Sequence, residues 1–495
     1  MDLISRRTVL SAVAWLPLGW GLAGCAGDDR VDATLPSGRQ LVMPKELRSV
    51  DGVLDIDLRV ARADLAAGSG RRFAYTYDGT SPGPTLRVRP GDTVTVRLRN
   101  DLDESTNLHT HGLHVDPSGS SDNVFVEVQP RSTHTYTYRI PDDHRSGTFW
   151  YHPHHHGMVA AQVSAGLFGV IIVEDDLDTL PDLGDAAERL LVLNDPRVGS
   201  DASVLDVSAM EVMQGREGDA TLVNGQDEPV IPAETGRLEH WRIVNASPSR
   251  YYRMALEGHA LHLIGTDGGR LSEPTTVDEV LIAPGERVEV MVALTEGRHE
   301  LRSLGYDRGS AGMGGGMMGG RSGAGSGPQV LAVVDTTVTS VVPPVPGSLA
   351  DPATTRLPGP TASRRLELAM GMGGGMGGGM MGGGGSGGGM MAFTIDGVSF
   401  DPSRTDIAVR AGSVEEWTLV NTSPMDHPFH LHVWPFQVVD AQGRGDGRWK
   451  DTVNVPARST VTIRVRFSGL TGRTVYHCHI LDHEDQGMMG VIEVR

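Results

Sequence analysis

The sequence predicts an all-β fold of three β-sandwiches of similar build in tandem, on three observations. The first is a segment written three times: RPGDTVTVRLRN (89–100), AETGRLEHWRIVN (233–245) and RAGSVEEWTLVN (410–421). In each, a glycine precedes an alternating run that ends in asparagine nine residues later: Gly91 to Asn100, Gly236 to Asn245, Gly412 to Asn421. Alternation of Val, Ile, Trp and Thr, bounded by Gly, Pro and Asn, is the pattern of a half-buried strand. The second is that THTYTYRI, GVIIVED, VEVMVAL and STVTIRVRF alternate in the same way, while long amphipathic helical patterns are nearly absent. The third is length, since 495 residues can bury two to four separate cores.

Composition narrows the partners. The net charge is −19, with no long run of Lys or Arg, which disfavours nucleic acid because such binding rests on neutralising phosphates. The start of the chain reads as a targeting segment over residues 1–27. Arg6 and Arg7 in SRRTVL precede the apolar run VLSAVAWLPLGWGLAG, a pattern similar to a twin-arginine export signal. The run ends in LAGC, which resembles a lipoprotein cleavage box with Cys25 as the acylated residue; ordinary cleavage nearby is the alternative. Either route places the mature protein outside the cytoplasm, in the periplasm or at the cell surface. No later apolar stretch is long enough to span a bilayer.

The repeat register locates the chemistry. Nine and eleven residues after the asparagine, the first repeat has His109 and His111 and the third has His430 and His432. The middle repeat has Met254 and Leu256 there. In the closing strands GTFWYHPH, GRHELRSL and GRTVYHCH, the fifth and seventh residues after the glycine are His152 and His154, Arg302 and Leu304, then His477 and His479. On an extended segment residues i and i+2 face the same way, so each His-x-His aims two imidazoles at one place. One such pair is a common coincidence; four pairs at matched offsets suit a multinuclear copper site.

The third repeat carries more. His427 lies six residues after its asparagine, where the others have Thr106 and Tyr251. Cys478 stands where the first has Pro153, and His483 and Met488 correspond to Met158 and Val163. The only other cysteine is Cys25. Two imidazoles, a thiolate and a weak axial thioether are the ligand set of a blue copper centre. On a strand, His477 and His479 point away from Cys478 towards the other histidines, so the backbone there is a short covalent route for electrons.

With these residues the chain resembles the three-domain multicopper oxidases, the family of laccases and bacterial copper-efflux oxidases. The motifs are HTHG (109–112), WYHPHHHG (150–157), HPFHLH (427–432) and HCHILDHEDQGMM (477–489). The resemblance implies cupredoxin-like Greek-key sandwiches at 41–178, 186–345 and 360–495, the middle one without copper ligands. It implies four copper ions: type 2 on His109 and His430, and type 1 on His427, Cys478, His483 and Met488. One type 3 copper takes His111, His152 and His479; the other takes His154, His432 and His477. Met489 is then the neighbour of a ligand. Thr110 and HVWPFQV depart from the commoner family residues without touching a ligand, and His114, His155 and His156 fall off the offsets. Reducing O₂ to water consumes protons, and Glu484 matches a proton-donating acid of the family; Asp122, eleven residues after His111, is the second candidate. The implied partners are O₂ and a small reductant, and the implied state is a monomer.

Methionine carries a second message. Of 20 methionines, half lie in two glycine-rich segments. Residues 311–320 hold Met313, Met317 and Met318; residues 369–391 hold Met370, Met372, Met376, Met380, Met381, Met390 and Met391. Such composition favours a mobile segment. Gly and Ser alone make a linker, whereas thioethers are soft ligands that select Cu(I), so the second segment reads as a copper-collecting insertion in the third domain. Met425, two residues before His427, offers another thioether. An oxidase taking electrons from Cu(I), or from phenols and aromatic amines, therefore stands first, with a role in copper tolerance. A copper nitrite reductase needs fewer histidine pairs, and a scaffold on a degenerate oxidase fold would have lost ligands; here all twelve expected positions are filled.

Overall fold

The computed structural model describes residues 38–67, 70–174, 186–198, 205–309, 327–337, 341, 343–349, 356–372 and 391–495. The export signal, Cys25, both arginines of its motif, residues 311–320 and Met376, Met380, Met381 and Met390 lie outside the described residues. Among the described residues, no helix is long and apolar enough to cross a membrane.

Among the described residues, six sheets form three sandwiches in chain order. In the first, a five-stranded sheet runs Glu46–Arg48, Thr85–Val88, Gly169–Val173, Gly147–His152, His109–His111. It faces a four-stranded sheet of Gly70–Tyr77, Val53–Ala67, Thr93–Asn100 and Thr133–Arg139. The middle and third sandwiches each pair a six-stranded sheet with a five-stranded one. Each sandwich has its own apolar core, and Trp241 and Trp417 are fully buried in the middle and third. A further cluster, with Trp150, Phe168, Leu190, Val244 and Leu481, draws on all three and seals the joint between them. Apolar side chains of this size stabilise by about 1.5–3 kcal/mol each when fully buried.

The thrice-written segment becomes the same strand three times. Thr93–Asn100 pairs parallel with Val53–Ala67 and antiparallel with Thr133–Arg139. Glu239–Asn245 does so with Ala187–Asn194 and Arg287–Val292, and Val414–Asn421 with Ala362–Met372 and Thr460–Arg466. The closing asparagine has the same task each time. Asn421 Nδ2 donates to the carbonyls of Met425, Val455 and Pro456, and its Oδ1 accepts from Ser423 N. Asn100 binds Glu104, Val128 and Gln129 carbonyls and Leu102 N; Asn245 binds those of Arg250 and Ile282 and Ser247 N. This buried knot fixes the loop leading to the next strand, which is why the histidines share one offset.

Register then aligns the metal-binding pairs. His109 lies opposite His152 across an antiparallel pair, and His430 opposite His477. Phe429 opposes Cys478, so the thiol is on the other face of the strand from the flanking histidines.

Two methionine expectations change. Residues 369–391 begin and end as strand: Ala362–Met372 pairs antiparallel with Met391–Ile395, Met370 opposite Phe393. Met370 packs against the third core instead of lying on a free tether, because strand alternation turns it inward. Met425 is fully buried in that core and presents no thioether at the surface.

Candidate metal centre

Cys478, at the end of the strand Gly472–Cys478, lies 3.3 Å from His427 Nδ1 and 3.9 Å from His483 Nδ1, measured from Sγ. The outer nitrogen of each imidazole is occupied: His427 Nε2 by Ser423 Oγ at 2.7 Å, His483 Nε2 by the Met213 carbonyl at 3.1 Å. A carbonyl only accepts, so His483 carries its proton on Nε2 and turns the Nδ1 lone pair towards sulfur. His483 is fully buried, with Phe393 stacked on it at 4.6 Å. Met488 is buried in the same core cluster as Cys478, and its carbonyl accepts Cys478 N–H at 3.0 Å; Met489 belongs to a different cluster. Burial pushes the Cys478 thiol up, against one N–H from Ile480 at 3.4 Å, so ionisation awaits a cation.

The eight histidines of the four pairs are all buried and meet between the first and third sandwiches. His109 Nδ1 contacts Asp122 at 3.0 Å, His152 Nδ1 the Pro153 carbonyl at 2.9 Å, and His430 Nδ1 the Asp451 carbonyl at 2.9 Å. Their Nε2 atoms are buried and, among the described residues, have no hydrogen-bond partner. His477 Nε2 lies 3.2 Å from His154 Nε2 and 3.1 Å from His432 Nε2. Burial, then the neighbouring imidazoles, hold His109, His154, His432, His477 and His479 well below the ordinary range, and burial takes His152 and His427 down to about 3. Neutral imidazoles whose free lone pairs converge in a dry interior fit soft or borderline metal ions.

The groupings follow the expected sets in part. His154, His432 and His477 form one group able to hold an ion, and His427, Cys478 and His483 another. His109 and His430 share a group with His432, and His111 and His152 share one with His109. His479 lies 5.0 Å from His111 and 5.8 Å from His152, ring to ring. Among the described residues, neither His114 nor His155 nor His156 enters a group.

Both carboxylate candidates touch the cluster. Glu484 is fully buried, Oε2 3.1 Å from His477 Nδ1 and Oε1 3.4 Å from His154 Nε2. Burial pushes its carboxyl well above the usual range, which keeps a proton on it. Asp122 is buried and not solvated, and burial raises it to about 7 against Thr110 N–H, which donates to it at 2.8 Å. Sequence reasoning missed Asp451, whose Oδ1 is 3.0 Å from His111 Nε2, and Ser423 and Met213, which fix the two imidazoles beside Cys478. It also missed Trp150, stacked on His152 at 4.2 Å, although the residue stands inside a quoted motif.

Fold and site together define a copper-binding protein of cupredoxin-like sandwiches. Family models described as multicopper oxidase match residues 60–178, 198–300 and 383–495. "Multicopper oxidase mco" of Staphylococcus haemolyticus is 29% identical over 84% of this chain and 83% of its own. "Cell division protein FtsP" of Proteus mirabilis is 27% identical over 99% of this chain and 98% of its own. A solved multicopper oxidase of Campylobacter jejuni, described as a metallo-oxidase, superposes with a TM-score of 0.77 at 28% identity, covering 93% of this chain and 96% of that one. This chain belongs to the multicopper oxidase family, and is an oxidoreductase that uses oxygen.

Proposed function

We propose that the protein takes single electrons from Cu(I) at a type 1 copper and reduces O₂ to water at a trinuclear copper cluster, as an exported enzyme of copper tolerance. His427, Cys478, His483 and Met488 would hold type 1; His109 and His430 type 2; His111, His152 and His479 one type 3 ion, and His154, His432 and His477 the other. The observation that carries the reading is Cys478, whose Sγ faces two Nδ1 atoms at 3.3 and 3.9 Å while its sequence neighbours stand in the histidine cluster. Bound copper supplies the one-electron chemistry and the site where O₂ is reduced.

The chain's own residues supply the rest. Ser423 and Met213 orient the two imidazoles at the sulfur. The peptide through Cys478 links the electron-accepting end to His477 and His479. Glu484, kept protonated between His154 and His477, is the proton donor to the cluster, and Asp122 serves His109.

Support for Cu(I) over phenols and aromatic amines comes from access. His483 is buried, with its Nε2 on the Met213 carbonyl and Phe393 stacked on its face, an arrangement that favours a small ion over a ring pressed on its edge. The Campylobacter jejuni neighbour is itself described as a metallo-oxidase. The Met/Gly-rich insertion 369–391 would gather the ion, although Met370 is committed to the core and Met425 is enclosed. A scaffold role, prompted by the likeness to a cell division protein, is disfavoured by the filled set of twelve ligand positions. Export through the paired-arginine signal, with a lipid anchor at Cys25, suits a substrate met outside the cytoplasm.

The test is O₂ uptake by the copper-loaded protein with Cu(I), a phenol and an aromatic diamine in parallel. A kcat/KM for Cu(I) at least tenfold above both organics is expected. A phenol that outruns Cu(I) would make the protein a general laccase.

A further inference from the structure

The middle sandwich holds none of the expected ligands, yet one of its arginines reaches the histidine cluster. Arg287 opens the strand Arg287–Val292, and its side chain is 1% exposed. Its guanidinium grips Asp451 as a fork, Nη1 donating to Oδ1 at 2.8 Å and Nη2 to Oδ2 at 2.6 Å. The other donors go to main-chain carbonyls: Nε to Thr148 at 3.0 Å, Nη1 to Gly285 at 3.1 Å, Nη2 to Asp267 at 2.9 Å. All five N–H groups of the side chain are used. Thr148 belongs to the first sandwich and Asp451 follows a strand of the third, so this one residue is fixed by all three.

The far side of Asp451 faces the histidines. Its Oδ1 lies 3.0 Å from His111 Nε2 and 3.5 Å from His430 Nδ1, and accepts from Thr452 Oγ1 at 2.9 Å. Asp451, His111 and His430 together form a buried group whose donor atoms lie close enough to hold an ion by themselves. The carboxylate therefore has two available roles: to orient the imidazoles, or to join them as an oxygen ligand. A bidentate guanidinium decides between them, because it occupies both oxygens and offsets the charge that would draw a cation. The packing leaves the pair no slack. A Cβ on Gly112, next to His111, would come within 2.4 Å of Arg287 Nη2 and 2.5 Å of Asp451 Oδ2.

We propose that Arg287 and Asp451 are a positioning pair, in which the arginine holds the Asp451 carboxylate as a hydrogen-bond acceptor for His111, while the Asp451 carbonyl takes His430 Nδ1, and keeps that carboxylate from becoming a copper ligand. The inference rests on the copper reading above, in that His111 and His430 hold copper. On this view the middle sandwich supports the histidine cluster through Arg287 while supplying none of the expected ligands.

The test uses the full copper-loaded protein, with copper content and type 1 absorbance measured first and the type 2 EPR signal read second. Arg287→Met frees the carboxylate, and a changed type 2 hyperfine splitting is expected with the blue band unaltered. Adding Asp451→Asn in the same chain should return the signal to that of Asp451→Asn alone, since an amide is a poor ligand. Arg287→Lys keeps the charge and loses the fork; it should change the signal in the same sense, and it decides the matter if the methionine variant does not fold. A type 2 signal identical to the parent's in the folded, copper-loaded variant overturns the pair's role. So does a change that Asp451→Asn leaves in place. A parent that binds no copper at the cluster would instead overturn the copper reading itself, a different outcome.

Discussion

The thiol of Cys478 resists ionisation in the bare protein, because burial removes water and only one N–H faces the sulfur. Copper held by Cys478, His427 and His483 would change that balance by bringing positive charge to the sulfur. Serine in its place is a harder donor whose hydroxyl stays protonated. Cys478→Ser should therefore lose the intense blue absorption and substrate oxidation, while the histidine cluster retains its copper; metal analysis with visible spectroscopy checks both. Glu484 works by a different route. Its proton is held by desolvation between two histidines, so Glu484→Gln keeps the shape and cannot give a proton up. O₂ reduction should slow by about 10²-fold or more. Reduction of the blue centre by substrate should stay at the parent rate, and stopped-flow reoxidation separates the two steps.

At the next scale, the loop between each repeated strand and its histidine strand is held by one asparagine side chain. Asn421→Ala would remove a donor from the carbonyls of Met425, Val455 and Pro456, of which Met425 keeps Ser423 Oγ and Pro456 keeps Ser459. The change would also orphan Ser423 N, a buried group worth roughly 1–3 kcal/mol when left unsatisfied. It should lower the thermal midpoint and shift the blue band, since Ser423 orients His427, and disturb the trinuclear signals less. Counting from the asparagine found His109, His111, His430 and His432 because this knot is repeated in space as well as in sequence. Counting could not reach Asp451 and Arg287, which meet across 164 residues and belong to sandwiches read separately. Nor could it place Met370, whose glycine-rich surroundings hid the inward turn of a strand. The covering of His483 by Met213 likewise depends on docking between sandwiches, which local pattern does not encode.

For the molecule as a whole, the joints between sandwiches combine the apolar cluster around Trp150 with buried ion networks. Glu188 of the middle sandwich pairs with Arg87 of the first and with Arg242, which also donates to Glu289 at 2.6 Å. Burial alone would raise the Glu188 carboxyl, but Arg242 and Arg87 outweigh it and bring it down to about 2 from 4.5. A folded-state value below the unfolded one means the stabilisation is complete above about pH 4.5 and disappears as pH falls towards 2. Its size at neutral pH is about 3 kcal/mol. Glu188→Gln should lose that at pH 7 and show a flatter decline between pH 4.5 and 2; urea unfolding at a series of pH values reads both. On the proposed function electron flow is also a property of the whole, since electrons accepted beside Cys478 would be consumed where the first and third sandwiches meet. The most direct test is O₂ consumption by the copper-loaded protein supplied with Cu(I), measured beside its Cys478→Ser variant with peroxide assayed in the same cell. The account predicts that four Cu(I) disappear for each O₂, with no peroxide, and that the variant with full copper in the cluster consumes O₂ no faster than free Cu(I) does. Equal O₂ uptake by the variant, or peroxide as the product, would contradict it.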